Sequence, residues 1–136
     1  MRKLKKYKKI FSVREARTLV PDLRPRLLRM REIREHLDRY RDEAEQTSRD
    51  VDRGGSTMPS AADYFPLVGE ITSHLKYFQA IGVLIKDLSA GLVDFPSIRD
   101  GRVVFLCWHA GEETVSHWHE VDAGIADRNQ IEQSEG

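Results

Sequence analysis

A chain of 136 residues, 40% of them apolar and 32% charged, is long enough for one domain with a modest core and too short for two. It has no net charge and no run of about 18 apolar residues, which excludes a transmembrane helix, and its basic N-terminus lacks the apolar stretch of a signal peptide. The single cysteine, Cys107, excludes an internal disulfide, and we therefore expect a cytoplasmic protein.

The zero net charge conceals a basic first part and an acidic second part. Residues 1–53 carry 17 Lys and Arg against 10 Asp and Glu, whereas residues 54–136 carry 5 against 12. Six of the basic residues lie in the first nine positions, and we expect residues 1–11 to form a flexible basic arm. Such an arm suits nucleic acid or an anionic surface, although a solvated tail that pairs with the acidic part is the simpler interpretation.

The segment after Phe11 has the signals of a helix start. Ser12 is placed to cap the helix, and Glu15, three residues later, completes a capping box. Pro21 and Pro25 interrupt the helical pattern, so we expect about two turns of helix, a kink near Pro21 and a long helix to about residue 48. Apolar residues recur in steps of three or four, as in a heptad stripe, at Ala16, Val20, Leu23, Leu27, Met30, Ile33, Leu37, Tyr40 and Ala44.

A second stripe on this helix is basic. Arg17, Arg24 and Arg31 recur every seven residues, or about two helical turns, so their guanidinium groups lie along one side of the helix. This side is one candidate surface for nucleic acid. A solvated flank of a coiled coil explains the same spacing without a ligand.

A second helix is expected after a flexible connection that contains Gly54, Gly55 and Pro59. It should run from about residue 61 to residue 81, with an apolar face formed by Leu67, Ile71, Leu75 and Phe78. Two amphipathic helices joined by one loop pack antiparallel, which predicts a helical hairpin over residues 12–82. The first helix has about 35 residues, roughly 50 Å, and the second about 21 residues, roughly 30 Å. The uncovered part of the apolar stripe predicts a homodimer.

The remainder of the chain has the pattern of short strands. Segments rich in β-branched and aromatic residues, such as VLIKDL and RVVFLCW, alternate with the turn sequences SAG, RDG and AGEE. They predict an antiparallel β-meander of three or four strands over residues 83–121, which needs the helices against one face to be stable. Residues 129–136 are expected to be a disordered tail.

The first part of this meander has a predictable register. Asp100-Gly101 is the strongest tight-turn signal in the chain and predicts a two-residue hairpin. Arg99 then faces Arg102, and Asp94 lies opposite Cys107 on the same face of the sheet. Pro96 cannot donate a backbone hydrogen bond, so its strand should be an edge strand or contain a bulge.

The next connection decides which residues share that face. His117 and His119 are two residues apart and therefore project from one face of their strand. A connection of even length places Cys107 opposite Ser116 and turns both histidines to the other face. A three-residue connection, 111–113, places Cys107 opposite His117, because a slip of one residue turns a strand over. Only the odd connection gathers five donor residues on one face, namely Asp94, Cys107, His109, His117 and His119.

These five residues form a candidate metal site. They offer a thiolate, imidazoles and a carboxylate, which suit Zn²⁺ with an open fourth position. The alternative is that Cys107 is a small core residue and that the histidines are partly exposed strand residues. The run VVFLCW is apolar throughout and does not favour either register. No phosphate-binding glycine loop or serine elbow is recognisable, so the sequence does not predict an enzyme.

Four short elements follow one another in the order GLVDFP, LCW, GE and WHE. They belong to the segments FSVREARTLVPDLRPRL, GVLIKDLSAGLVDFPSIRDGRVVFLCW and GEETVSHWHEVDAGIADR. In these segments, which cover most of the chain, the protein resembles the prokaryotic family known as domain of unknown function 2203. The family has no assigned activity, so the resemblance implies kinship alone. It gives weight to Gly91, Asp94, Phe95, Pro96, Gly101, Cys107, Trp108, Gly111, Glu112, Trp118, His119, Glu120, Gly124 and Arg128.

The chain departs from the family's pattern at three positions. Arginine is common where the chain has His109, an aromatic residue is common where it has His117, and glycine is usual where it has Asp127. The candidate metal ligands that remain shared with the family are Asp94, Cys107 and His119. The resemblance also implies a polar network that closes the end of the sheet, or a small-ligand pocket, formed by Glu112, His119, Glu120 and Arg128.

The expected fold class is α+β, with a long kinked antiparallel helical hairpin followed by a small antiparallel β-meander of three or four strands, in a single domain over residues 12–128. We predict a non-catalytic, homo-oligomeric interaction or scaffold module of the cytoplasm. The alternative is a protein that binds a metal ion or a small ligand, such as a hydrolase, through the Cys/His/Asp set. A weaker alternative is nucleic-acid binding through the basic N-terminal part.

Overall fold

The computed structural model describes residues 6–52 and 61–132 and has an α+β architecture. Two helices, α1 (Val13–Asp52) and α2 (Phe65–Ile81), precede five strands: β1 (Leu84–Asp87), β2 (Leu92–Arg99), β3 (Arg102–His109), β4 (His117–Glu120) and β5 (Asn129–Gln130). Short 3₁₀ turns lie at Ala61–Asp63 and Ile125–Asp127. Neither helix is long and apolar enough to cross a membrane within the part of the chain that is described. Of the predicted flexible connection, residues 48–63, the first five residues belong to α1 and the last three form a 3₁₀ turn, whereas residues 53–60 lie outside the described residues.

Helix α1 begins with the predicted capping box. The Glu15 N–H donates to Ser12 Oγ, and the Ser12 N–H donates to Glu15 Oε1, both at 3.0 Å. The predicted division of the helix near Pro21 is wrong, because α1 continues through Pro21 and Pro25 as one helix of 40 residues. Both prolines lie on the exposed side of α1. The carbonyl groups that lose their amide partners there can bind water, so the chain keeps its helical course.

Helix α2 packs antiparallel to α1, as predicted. Arg29 of α1 forms an ion pair with Glu70 at 2.6 Å, and further along α1 the ring of Tyr40 stacks on Tyr64, with 4.2 Å between centroids. Helix α2 ends at Gly82, whose φ of 84° is the left-handed conformation that favours glycine. A hairpin of unequal helices results, in which α1 runs on beyond the start of α2.

The five strands form one antiparallel sheet in the order β1-β2-β3-β4-β5. The predicted tight turn is present, with φ values of 50° at Asp100 and 78° at Gly101, and Arg99 pairs with Arg102. The sheet has one strand more than the upper end of the predicted three or four, because β5 pairs with β4 in a region expected to be disordered. Ile131 follows β5 and is only 5% exposed, so its burial holds this segment on the sheet. The rest of the predicted tail, residues 133–136, lies outside the described residues.

The main core lies between the two helices and one face of the sheet, which we call the inner face. The apolar stripe of α1 is buried from Ala16 to Ile33, whereas Leu37 and Tyr40 are only half-buried. The inner face contributes Val93, Phe95, Leu106 and Trp108 to this core. The opposite face, which we call the outer face, carries Asp94, Phe105, Cys107 and His119, all of them buried.

Residues 6–11, which belong to the predicted basic arm 1–11, contact the sheet through Tyr7 and Phe11. Phe11 is 2% exposed and lies edge-on to Phe95, with 5.4 Å between ring centroids. Its N–H donates to the carbonyl of Pro96 at 2.7 Å, beyond the point where β1 pairs with β2. This part of β2 is therefore free of β1, which explains how a strand inside the sheet order accommodates proline. Residues 1–5 lie outside the described part.

Candidate metal centre

The register between β3 and β4 is the one that brings the donor residues together on one face. Cys107 pairs with His117 and Phe105 pairs with His119, while Asp94 pairs with Cys107 across the preceding hairpin. The connection comprises the seven residues 110–116 and is longer than the three-residue connection of the odd alternative. Both lengths are odd, and odd length is what places the two histidines on the face of Cys107. All five candidate ligands therefore project from the outer face.

Three of the five candidates converge. One donor atom each from Asp94, Cys107 and His119 lies within 4.8 Å of the other two, and the three residues are 1%, 0% and 6% exposed. Ligands of one tetrahedral Zn²⁺ ion, at bond lengths of about 2.0–2.3 Å, are roughly 3.3–3.7 Å apart. Shifts of about 1 Å would thus bring all three onto one ion. We call these residues the Asp94–Cys107–His119 triad.

Both ring nitrogens of His119 have a polar partner in the structure. Nδ1 lies 2.8 Å from the carbonyl oxygen of Glu120, which can only accept, so Nδ1 carries the hydrogen. The Nε2 of His119 lies 3.1 Å from Oδ1 of Asp94. Two acceptors at this distance repel unless a proton or a metal ion lies between them. A backbone carbonyl that fixes the tautomer is also the usual support of a metal-binding histidine.

Burial raises the pKa of two triad members. The pKa of the Asp94 carboxyl is raised because desolvation penalises the carboxylate more than His119 and Lys86 favour it. One of its oxygens, Oδ2, is buried without a hydrogen bond. Desolvation, together with the negative charge of Asp94, raises the pKa of Cys107 to about 11. The metal-free triad therefore holds a neutral thiol at neutral pH, and a cation would favour the deprotonated donors.

The other two histidines belong to a separate polar network around Glu112. Arg128 Nη2 donates to Glu112 Oε2 at 2.6 Å and to His117 Nδ1 at 2.5 Å, so the lone pair of His117 Nδ1 is occupied. The N–H of His109 donates to Glu112 Oε1, and His109 Nδ1 accepts from the Gly111 N–H at 3.2 Å. His109 and His117 are therefore turned away from the triad and towards the β3–β4 connection.

The polar network implied by the family resemblance is divided in the structure. Glu112 and Arg128 form one half, and the Nε of Arg128 is buried without a partner. His119 instead faces Asp94, and the side chain of Glu120 binds the guanidinium of Arg102, with its pKa lowered mainly by these hydrogen bonds. The end of the sheet is thus closed by Glu112 and Arg128 without His119 or Glu120.

The predicted basic stripe faces the sheet. Arg24 donates to the carbonyl groups of Ala110, Glu112 and Glu113 at 2.5–2.9 Å, and its guanidinium lies over the Trp108 ring. Arg17 Nε donates to the Val115 carbonyl at 2.9 Å, and Arg31 borders a small cavity between α1 and Ser89. The first two side chains therefore hold the β3–β4 connection, and their donors are engaged with protein atoms.

One charged residue beside the triad, Lys86 of β1, is not among the candidate site residues inferred from the sequence. Its Nζ lies 3.9 Å from Oδ2 of Asp94 and 4.9 Å from the centre of the Phe105 ring, with 45% of the side chain exposed. A β-bulge occurs there, since Ile85 pairs with Val93 and Asp87 pairs with Leu92. Bulges commonly redirect a side chain near a functional site. A lysine inside the apolar segment VLIKDL was the available signal.

Comparison with known proteins gives a family and nothing closer. No curated protein matches the chain, and no solved structure matches it. A family described as "Uncharacterized conserved protein (DUF2203)" matches residues 9–131, which include both helices, all five strands and the whole triad. The three candidate ligands that the resemblance left in place are those that the fold brings together. The chain belongs to the DUF2203 family.

Proposed function

We propose that the protein binds a divalent transition-metal ion, with Zn²⁺ the best match, through Asp94, Cys107 and His119. The observation that carries this proposal is the convergence of three different donor types within 4.8 Å on one face of the sheet. A thiolate, an imidazole and a carboxylate are the protein ligands that Zn²⁺ takes most readily. Three protein ligands leave a fourth position for water or a small ligand, as in metal sites that bind or transform a substrate.

The arrangement of His119 and Asp94 also suits a bound metal ion. His119 presents Nε2 to Oδ1 of Asp94 at 3.1 Å, where a metal ion would take the place of the proton between them, and the second carboxylate oxygen has no hydrogen bond. Buried polar atoms without partners are rare, and each has a cost of about 1–3 kcal/mol. A metal ion would satisfy Nε2 and the carboxylate at once and would stabilise the thiolate of Cys107.

The test is the metal content of the full chain, purified without a histidine tag. We expect close to one zinc ion per chain, and after exchange to Co²⁺ a thiolate-to-cobalt charge-transfer band. Cys107→Ser and His119→Gln should lose both. His109→Gln is the matched control, because it removes an imidazole from the same face outside the triad. Substoichiometric metal in the parent protein, or equal binding by His119→Gln, would refute the proposal.

A second candidate function is a homodimeric scaffold, for which the two helices carry specific support. α1 continues for twelve residues beyond Tyr40, which stacks on the residue before α2, a length of about 18 Å. Phe65, Val68 and Leu75 of α2 are 68%, 46% and 38% exposed, and their spacing of three and seven residues places them on one side of the helix. We propose that a second copy covers this side in a helical interface with coiled-coil packing.

Light scattering tests this candidate independently of the metal. The double variant Phe65→Asp, Val68→Asp should reduce the mass from dimer to monomer, whereas Ser73→Asp, an exposed position off the apolar side, should leave it unchanged. A parent protein that is monomeric at all concentrations would refute the dimer. We also propose a cytoplasmic location, because the buried thiol of Cys107 suits a reducing compartment.

A further inference from the structure

The surroundings of the triad carry an unbalanced positive charge. A divalent ion bound by the thiolate of Cys107 and the carboxylate of Asp94 forms a neutral unit with His119. Arg128 and Glu112 act on Cys107 in opposite directions and form an ion pair at 2.6 Å, so their charges offset one another. Lys86 is the remaining cation beside the triad among the described residues, and its contact in the metal-free protein is Asp94.

Metal binding would remove the negative charge of Asp94 as the partner of Lys86. In the structure the ammonium faces Oδ2 of Asp94 at 3.9 Å. Once the carboxylate neutralises a metal ion, it no longer neutralises Lys86, and half of the lysine side chain is shielded from water by the sheet. A charge that is partly removed from water is stabilised by an opposite charge close by.

The direction in which the three ligands project places the fourth position on the same side as Lys86. Asp94, Cys107 and His119 all point outward from adjacent strands of one sheet. The remaining position of a tetrahedral ion then points away from the sheet, over the outer face. Lys86 lies on that face too, with its ammonium over Phe105, the strand partner of His119. The bulge of β1 gives Lys86 no partner on β2.

We infer that the triad-bound metal takes a small monoanion, such as a carboxylate or another one-charge oxygen or nitrogen donor, as its fourth ligand, and that Lys86 selects this charge. The inference rests on the proposed metal site. It assigns Lys86 a role in ligand specificity and none in holding the metal. The anion binds the ion through its donor atom, and its charge replaces that of Asp94 as the partner of the ammonium.

The test uses the full chain loaded with Co²⁺, with azide as the anionic probe and imidazole as the neutral probe, at fixed pH and ionic strength. Azide should shift the visible cobalt spectrum at saturable concentrations. Lys86→Gln should weaken azide binding about fivefold to tenfold, as expected for one charge near a protein surface, and should change imidazole binding less than twofold. Lys76→Gln, which removes an exposed lysine of α2, is the matched control.

The outcomes separate this inference from the proposed function. Without a thiolate-to-cobalt band in the parent protein, the metal site itself fails. With the band present, an unchanged spectrum in azide, or equal azide affinity in Lys86→Gln and the parent, overturns the role of Lys86. Equal weakening of azide and imidazole by Lys86→Gln also overturns it, because a charge effect must distinguish the two probes. Retained far-ultraviolet circular dichroism shows that the variant is folded.

Discussion

Because the thiol of Cys107 is buried, the stability of the protein without bound metal should fall as the pH rises in the alkaline range. Cys107 is fully buried, and desolvation raises its pKa from 9.0 to about 11 in the folded chain. The folded protein therefore holds the thiol proton to a higher pH than the unfolded chain does. This contribution to stability is complete below about pH 9 and is lost as the pH rises through about 11. A difference of about two pKa units corresponds to about 2.7 kcal/mol.

Cys107→Ser isolates this effect, because serine does not titrate in this range. Urea unfolding is measured at several pH values from 7 to 11, with a chelator present. The free energy of unfolding of the parent protein should fall more steeply than that of the variant, by about 2–3 kcal/mol over the range. Other groups, such as Tyr77 with its raised pKa, titrate in both proteins, so their contributions cancel in the comparison. Parallel pH profiles would refute a buried, protonated thiol.

Three further substitutions test other parts of the structure. In the presence of chelator, Asp94→Asn should raise the unfolding midpoint at neutral pH. Because the pKa of Asp94 is raised in the folded protein, this carboxyl contributes to stability only at acidic pH, and the contribution is lost as the pH rises. A lowered midpoint would contradict this prediction. Arg24→Gln should destabilise the protein by about 2 kcal/mol, because three carbonyl groups lose their charged hydrogen-bond donor. The control Arg34→Gln, at an exposed position of α1, should change stability little. Ser12→Ala should cost about 1 kcal/mol in urea unfolding through loss of the capping box, and a loss equal to that of Ser73→Ala would refute the capping role.

The elements with strong local signals could be predicted from the sequence. Helical periodicity identified both helices, and the residue pair Asp100-Gly101 fixed the β2–β3 register, including Asp94 opposite Cys107. The separation into a short helix and a long helix at Pro21 was predicted wrongly, because the local rule for proline does not include the side of the helix on which it lies. Pro21 is exposed, so solvent can accept the freed backbone group.

The candidate metal ligands could be identified from the sequence, but the strand register that brings three of them together could not. β3 is buried on both faces from Val103 to Trp108, so its hydrophobic pattern contains no alternation that would fix the register with β4. β5 has only two residues and depends on the distant pairing with β4, which no local pattern predicts. The contact of Lys86 with Asp94 depends on a bulge, which is likewise a property of the assembled sheet.

The most direct test of the proposed metal centre is X-ray absorption at the zinc edge of the full chain incubated with zinc. We predict one sulfur neighbour at about 2.3 Å and nitrogen or oxygen neighbours at about 2.0–2.1 Å, with the sulfur shell lost in Cys107→Ser. A spectrum without sulfur, or one unchanged by Cys107→Ser, would contradict the assignment of the Asp94–Cys107–His119 triad as the metal site.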